Sequence, residues 1–327
     1  MRAAVATAYG PPDVVRIVEM PKPVPGPGEM LVRIHAASVS SGDWRLRSGV
    51  VPTGFGLLIR LALGFRRLRQ PILGNDYSGV VEAVGEGVAR FRPGDAVFGS
   101  AGGKSGCHAD YRVVAENGPV APKPPGLSHR EAAALPFGVQ TALVYLRAMG
   151  GLKSGESVLV IGASGAVGVG AVQIAHALGA RVTGVCSSRN ARLVREIGAD
   201  SVIEYDRADP LAGEARYDMI VDTVGDARIP ALRRLARDGG RILLLAAGLP
   251  GMARAAIGNL FGRRRLITGE AKESRQAMQE VADMAGSGAI RPVIDSVFAF
   301  DDIVRAHARV DTRHKVGAVI VEMVGQG

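Results

Sequence analysis

Cysteine is nearly absent: Cys107 and Cys186 are the only two in 327 residues, too few for a disulfide framework. No apolar run reaches the roughly 18 residues that a membrane-spanning helix needs. Met1–Val5 leads straight into a strand-like run without the hydrophobic region of a signal peptide, so a reduced, cytoplasmic protein is expected. There is no nucleic-acid-binding motif and no long Lys/Arg run, which argues against a nucleic-acid partner. Acid is in deficit. Asp and Glu number 31 against 40 Lys and Arg, for a net charge of +9. That balance suits an anionic partner such as a phosphate-bearing cofactor or a membrane surface, or it is simply a solvated face rich in Arg.

What is present describes a globular chain. Hydrophobic residues are 47% and charged residues 22%, enough to bury a sizeable core, and the length favours two domains. The 44 glycines gather between apolar runs, where turns would join short strands and helices. Residues 1–125 read as all-β, with runs such as Met30–His35, Ser78–Val84, Ala96–Phe98 and Tyr111–Val114 bounded by Pro/Gly/Asp clusters. Pro122–Gly126 reads as a linker. From Ser128 the period changes. Ser128–Glu131 is a capping box that opens a helix, and a second helix follows across Thr141–Met149. Strands and helices then alternate, which predicts a doubly wound parallel sheet over 126–289. The tail, residues 290–327, returns to strand character and is expected to complete the domain begun by residues 1–125.

The chemistry is carried first by Val158–Gly168. A buried strand runs into a tight turn of small residues, Gly162-Ala163-Ser164-Gly165, then into a helix opening at Ala166, Val167 and Gly168. Gly165 lets the backbone approach a pyrophosphate and Gly168 lets the helix pack on the strand. The helix N-terminus supplies free N–H groups and a positive dipole end. At the end of the next strand an NAD site would place an acid; this chain has Ser187, Ser188 and Arg189 instead. Hydroxyls beside a guanidinium make a nest for a 2′-phosphate, so the expected cofactor is NADPH. Ser187 or Ser188 could equally cap the following helix. Val224 lies in the segment closing the fourth strand of the sheet, at the edge where open α/β sheets bind ligands.

With these segments in view, the whole chain resembles the medium-chain dehydrogenase/reductase superfamily and its zinc-independent quinone oxidoreductase branch. Ala36–Trp44, Gly74–Gly79, Val84–Val88, Arg92–Val97, Ala132–Thr141, Cys186–Asn190 and the Lys315–Gly317 region carry the likeness, which covers nearly all of residues 1–323. It implies a Rossmann-type NADPH-binding domain, a discontinuous β-rich GroES-like catalytic domain and a cleft between them. It further implies that Thr141, Tyr205, Ala246, Ala247 and Lys315 contact the cofactor, and that Ser40, Asp43 and Tyr77 are the candidate catalytic residues. Asp43 also reads as the cap of the turn at Trp44. Zinc-dependent relatives place a Cys in the early loop and a Gly-His-Glu segment after it, where this chain has Ser40–Asp43 and Gly74-Asn75-Asp76. No metal is therefore expected. The implied reaction is hydride transfer from NADPH to a small, apolar, electron-poor acceptor: a quinone or an α,β-unsaturated carbonyl. The branch usually has Asn at the position of Ser40, and quinone oxidoreductases often have Tyr at that of Arg45. Both changes leave open a protein that binds NADPH as a sensor or interaction partner and catalyses little.

Two segments, Phe55–Arg69 and Met252–Leu266, are apolar and basic together. They suit the mouth of an apolar cleft or a membrane surface. The favoured reading is a lid and a subunit contact, with a homodimer expected.

Overall fold

The computed structural model describes residues 1–323 apart from 51–53, 55, 226–227, 247, 249–250, 253–258 and 260–263. Ala247, Phe55 and most of Met252–Leu266 therefore lie outside the described residues.

A six-stranded parallel sheet has the order β10-β9-β8-β11-β12-β13. Its strands are β8 (Ser157–Ile161), β9 (Arg181–Cys186), β10 (Ser201–Glu204), β11 (Tyr217–Asp222), β12 (Ala236–Leu244) and β13 (Arg265–Ile267). β8 shows why this sequence makes a central strand. Val158 and Val160 point into one core cluster, Leu159 and Ile161 into the other, so both faces are buried. Each such side chain contributes about 1.5–3 kcal/mol on burial. The helix Ala166–Ala177 covers one face and the helix Ile229–Leu235 the other. The order reverses direction beside β8, and the crevice at that switch point opens at the C-terminal strand ends.

A seven-stranded sheet is organised on β3 (Glu29–Val39), which pairs antiparallel with β4 (Asp76–Val84), β6 (Tyr111–Ala115) and β15 (Ala318–Glu322). β5 (Ala96–Ser100) and β7 (Val120–Pro122) extend it on one side and β14 (Ile294–Ala299) on the other. The tail thus returns to the first sheet. A separate ribbon joins β1 (Arg2–Ala6) to β2 (Val15–Glu19). The two large sheets meet where Gly317 N donates to Ser164 O at 2.9 Å, which sets the tail against the glycine turn after β8.

Residues 1–125 are not all-β. They hold the helices Ser41–Ser48 and Gly56–Leu63. The first is opened by a reciprocal capping box between Ser40 and Asp43, and its Arg47 is fully buried, paired with Asp311 and donating to Gly10 O at 2.6 Å. The expected capping box at Ser128 is present, with Glu131 accepting from Ser128 N at 2.8 Å. The helical stretch after it begins at Pro136 rather than Thr141 and includes π-helical turns.

Candidate active site

The glycine turn after β8 delivers free N–H groups to the crevice. Gly165 stands at the N-cap of the helix Ala166–Ala177 with extended backbone and no side-chain cap, so the first-turn donors are left to a ligand. A Cβ on Gly168 would lie 2.0 Å from Gly162 O, so only glycine permits this approach of helix to turn. A Cβ on Gly165 would meet nothing nearer than Gly162 O at 3.4 Å, an ordinary contact. The fold does not need glycine there. Ala166 and Val167 are half-buried in the first turn, and Ala166 also lines the cleft described below. The exposed Val224 overhangs the same turn, because a Cβ on Gly162 would meet its Cγ2 at 2.8 Å. Ala246 packs on Gly225, bringing the ends of β11 and β12 together. Thr141 is half-buried in the helical stretch against the Ala166–Ala177 helix, and no hydrogen bond singles it out.

At the end of β9, Ser187 is buried, Ser188 half-buried and Arg189 exposed, with Tyr205 exposed beside them. Two residues here were not expected. Asn190 Nδ2 donates to Ser164 Oγ at 3.0 Å, tying the end of β9 to the glycine turn. Asp206, just beyond β10, accepts from Ser188 N at 2.9 Å and from Ser188 Oγ at 2.7 Å. Those bonds hold its carboxyl below the usual range. No acid ends β9, but the neighbouring strand brings one to the same place. The only sequence sign of it was an acid following Tyr205.

Across the crevice, Ser38, Ser40, Asp76 and Lys315 face Phe137, Gly138 and Ala166 around a pocket of about 10 Å³. That is room for one water, so this pocket is the floor of the cleft. Asp76 is fully buried and accepts from Ser38 Oγ at 2.7 Å and from Phe137 N at 3.2 Å. Burial pushes its carboxyl well above the usual range, against the Ser38 bond and with the Glu273 and Asp43 charges adding to the rise. Asn75 Nδ2 donates to Glu273 Oε1 at 2.7 Å, which ties this floor to the segment after β13. Lys315 donates to Gly317 O at 2.6 Å, and burial lowers its ammonium to about 8, opposed by Asp295 and Asp76.

The three expected catalytic residues are separated by this geometry. Ser40 lines the cleft floor, but its hydroxyl donates to Asp43 Oδ2 at 2.7 Å and accepts from Asp43 N. Asp43 is buried and fully engaged, since its second oxygen accepts from Gly74 N at 2.8 Å. It holds two loops together. Tyr77 follows Asp76 on β4 and points to the opposite face, into the hydrophobic core of the seven-stranded sheet; burial pushes its phenol up. Asp76, which the sequence reading left unassigned, is the acid that reaches the cleft. His108 is buried too, its ring on Ser38 O at 2.9 Å and edge-on to His307.

A zinc ion does not fit the donor set. Ser40 Oγ is committed to Asp43, Asn75 presents its amide N–H groups to Glu273 and Asp76, and burial raises the Cys107 thiol. Among the described residues no three His, Cys, Asp or Glu side chains converge. No described helix is long and apolar enough to cross a membrane.

Comparison with known proteins shows the family. The family model described as an alcohol dehydrogenase GroES-like domain matches residues 26–125, and the one described as a zinc-binding dehydrogenase matches 197–321. The mitochondrial NAD(P)H oxidoreductase RTN4IP1 of Mus musculus is 32% identical over 99% of this chain and 89% of its own length. The quinone oxidoreductase of Coxiella burnetii superposes with a TM-score of 0.87 at 27% identity, covering 99% of each chain. The mycobacterial Rv1454c, solved in complex with NADPH, superposes with a TM-score of 0.81 at 27% identity, over 99% of this chain and 100% of that one.

Proposed function

Because the chain belongs to the medium-chain dehydrogenase/reductase superfamily, within its NAD(P)H and quinone oxidoreductases, we propose that it reduces quinones or α,β-unsaturated carbonyls with NADPH. The observation that carries this reading is the cleft floor. Facing the glycine turn is a buried carboxyl, Asp76, and among the described residues no donor set for a Lewis acid stands beside it. A simple ketone needs its oxygen polarised before it accepts hydride; a conjugated acceptor is electron-poor already.

The cofactor, when bound, supplies the hydride. The residues of this chain do the rest. The first-turn N–H groups after Gly165 bind the pyrophosphate, and Val224 and Ala246 bound the crevice above the strand ends. Asp76, held protonated by its burial, would pass its carboxyl proton to the reduced acceptor, an enone carbon or a quinone oxygen, through the one water for which the cleft floor has room, and would regain a proton from solvent by the same route. The test is NADPH consumption against a panel of quinones, enones, simple ketones and alcohols. Turnover confined to the last two groups refutes the reading. Asp76→Asn should lower kcat by at least about a hundredfold, with KM for NADPH changed less than about twofold. The proton donor works only while protonated, so wild-type kcat should fall as pH rises through the elevated range of Asp76. The Asn variant should lack that limb; an unchanged limb removes Asp76 from the reaction.

NADPH rather than NADH rests on Ser187, Ser188, Arg189 and the exposed Tyr205, with Asp206 as the opposing charge. Arg189→Ala should weaken NADPH at least about tenfold while NADH changes little, the loss of one charge-assisted contact. Equal losses by titration would remove the 2′-phosphate from this corner.

A further inference from the structure

The described residues of Phe55–Arg69 line a surface apart from the cleft floor. They pack beside the β1–β2 ribbon: Tyr9, in the turn between its strands, donates to Gly64 O at 2.7 Å, the Arg60 guanidinium lies 5.6 Å over the Tyr9 ring, and just past the stretch Ala6 N donates to Pro71 O at 2.8 Å. Between ribbon and stretch lies a groove of about 770 Å³ that shares no lining residue with the cleft floor. Val5, Val18, Met20 and Leu68 give it an aliphatic wall; Arg66 and Arg67 stand exposed on its rim, and no Asp or Glu is among its described lining residues. Phe65, which also lines it, and Leu61 in the helix just before are 61% and 58% exposed, far more than such side chains ordinarily are.

We propose that this surface docks the protein on an anionic lipid bilayer. Leu61 and Phe65 enter the boundary between headgroups and acyl chains, the arginines meet lipid phosphates and carboxylates, and the groove takes the upper part of an acyl chain. The charges select this occupant. A second copy meeting the same face would set arginine against arginine across the two-fold axis. A nucleic acid would answer Arg66 and Arg67 but leave the aliphatic wall and Leu61 without a partner. The docking needs no membrane-spanning helix, and it leaves the cofactor crevice free.

The test uses the full chain in co-sedimentation with vesicles of phosphatidylcholine, alone or mixed with phosphatidylserine. Binding is expected to the mixed vesicles only, and to weaken at least about tenfold as salt rises from about 0.1 to about 0.5 M, where screening shortens the reach of the arginines. Arg66→Glu with Arg67→Glu should reduce it at least about tenfold, as should Leu61→Ser with Phe65→Ser. Both pairs are solvent-facing, and unchanged NADPH titration and thermal unfolding certify the fold. Equal binding to neutral vesicles, no binding to either, or indifference to the Arg66/Arg67 exchange overturns the proposal. So does a loss of self-association in Leu61→Ser with Phe65→Ser, which would make a second copy the occupant.

Discussion

Gly168→Ala is expected to destabilise the protein by about 3 kcal/mol or more and to lower NAD(P)H affinity over a hundredfold. The methyl group would lie 2.0 Å from Gly162 O and 2.8 Å from Ala163 Cα, and neither backbone atom can move without taking the turn with it. The helix must lift off β8, and its first-turn N–H groups leave the crevice with it. Gly165→Ala separates folding from binding. Its backbone is extended at φ −74°, open to any residue, and its Cβ meets only Gly162 O at 3.4 Å. Thermal unfolding should therefore be nearly unchanged. Cofactor affinity should still fall at least about tenfold, because the methyl stands where the pyrophosphate meets the backbone. Fluorescence titration beside a thermal scan reads both. A Gly165→Ala protein that binds NAD(P)H normally would show that the turn is only a turn.

That contrast was legible in the sequence because everything it needs is local. β8, the turn and the helix follow one another within Ser157–Ala177, and their periods announce them. The strand order was also within reach, since β-strands separated by helices leave few alternatives. Long-range contacts decided most of the misreadings, although the helix Ser41–Ser48 also had a local sign, its Ser40/Asp43 capping box, which the all-β reading passed over. Ser41–Ser48 is a helix whose Arg47 is buried against Gly10 and Asp311, the latter 264 residues away in the chain. No local pattern advertises such a partner. Asp206 reaches Ser188 from the neighbouring strand, so a search for an acid at the end of β9 could not meet it. Along β4, residues 76–79 are all buried, so alternation of polar and apolar residues gave no sign that Asp76 faces the cleft and Tyr77 the core.

Asp43 tests how such a network is apportioned, and Asp43→Ala should be among the most destabilising changes in the catalytic half. Its carboxylate accepts three hydrogen bonds, from Ser40 N at 2.8 Å, Ser40 Oγ at 2.7 Å and Gly74 N at 2.8 Å. With 1% of Asp43 exposed, water cannot replace it freely, and truncation strands two buried N–H groups and unmakes the cap of Ser41–Ser48. At about 1–3 kcal/mol for each of the two orphaned donors, plus a capping loss near 1 kcal/mol, the expected cost is about 3–7 kcal/mol. Ser40→Ala removes only the hydroxyl's share and should cost about 1 kcal/mol. Asp43→Asn keeps the shape but turns an N–H₂ toward one donor, and should fall between the two. In the proposed reaction Asp43 positions the Ser38–Ser40 loop and the start of Gly74–Asp76, and it gives up no proton. The Asn protein, assayed well below its melting temperature, should therefore keep the pH limb assigned to Asp76, displaced to lower pH because the Asp43 charge that adds to its rise is gone, while its unfolding midpoint drops. Loss of that limb without loss of stability would move the proton donor from Asp76 to Asp43.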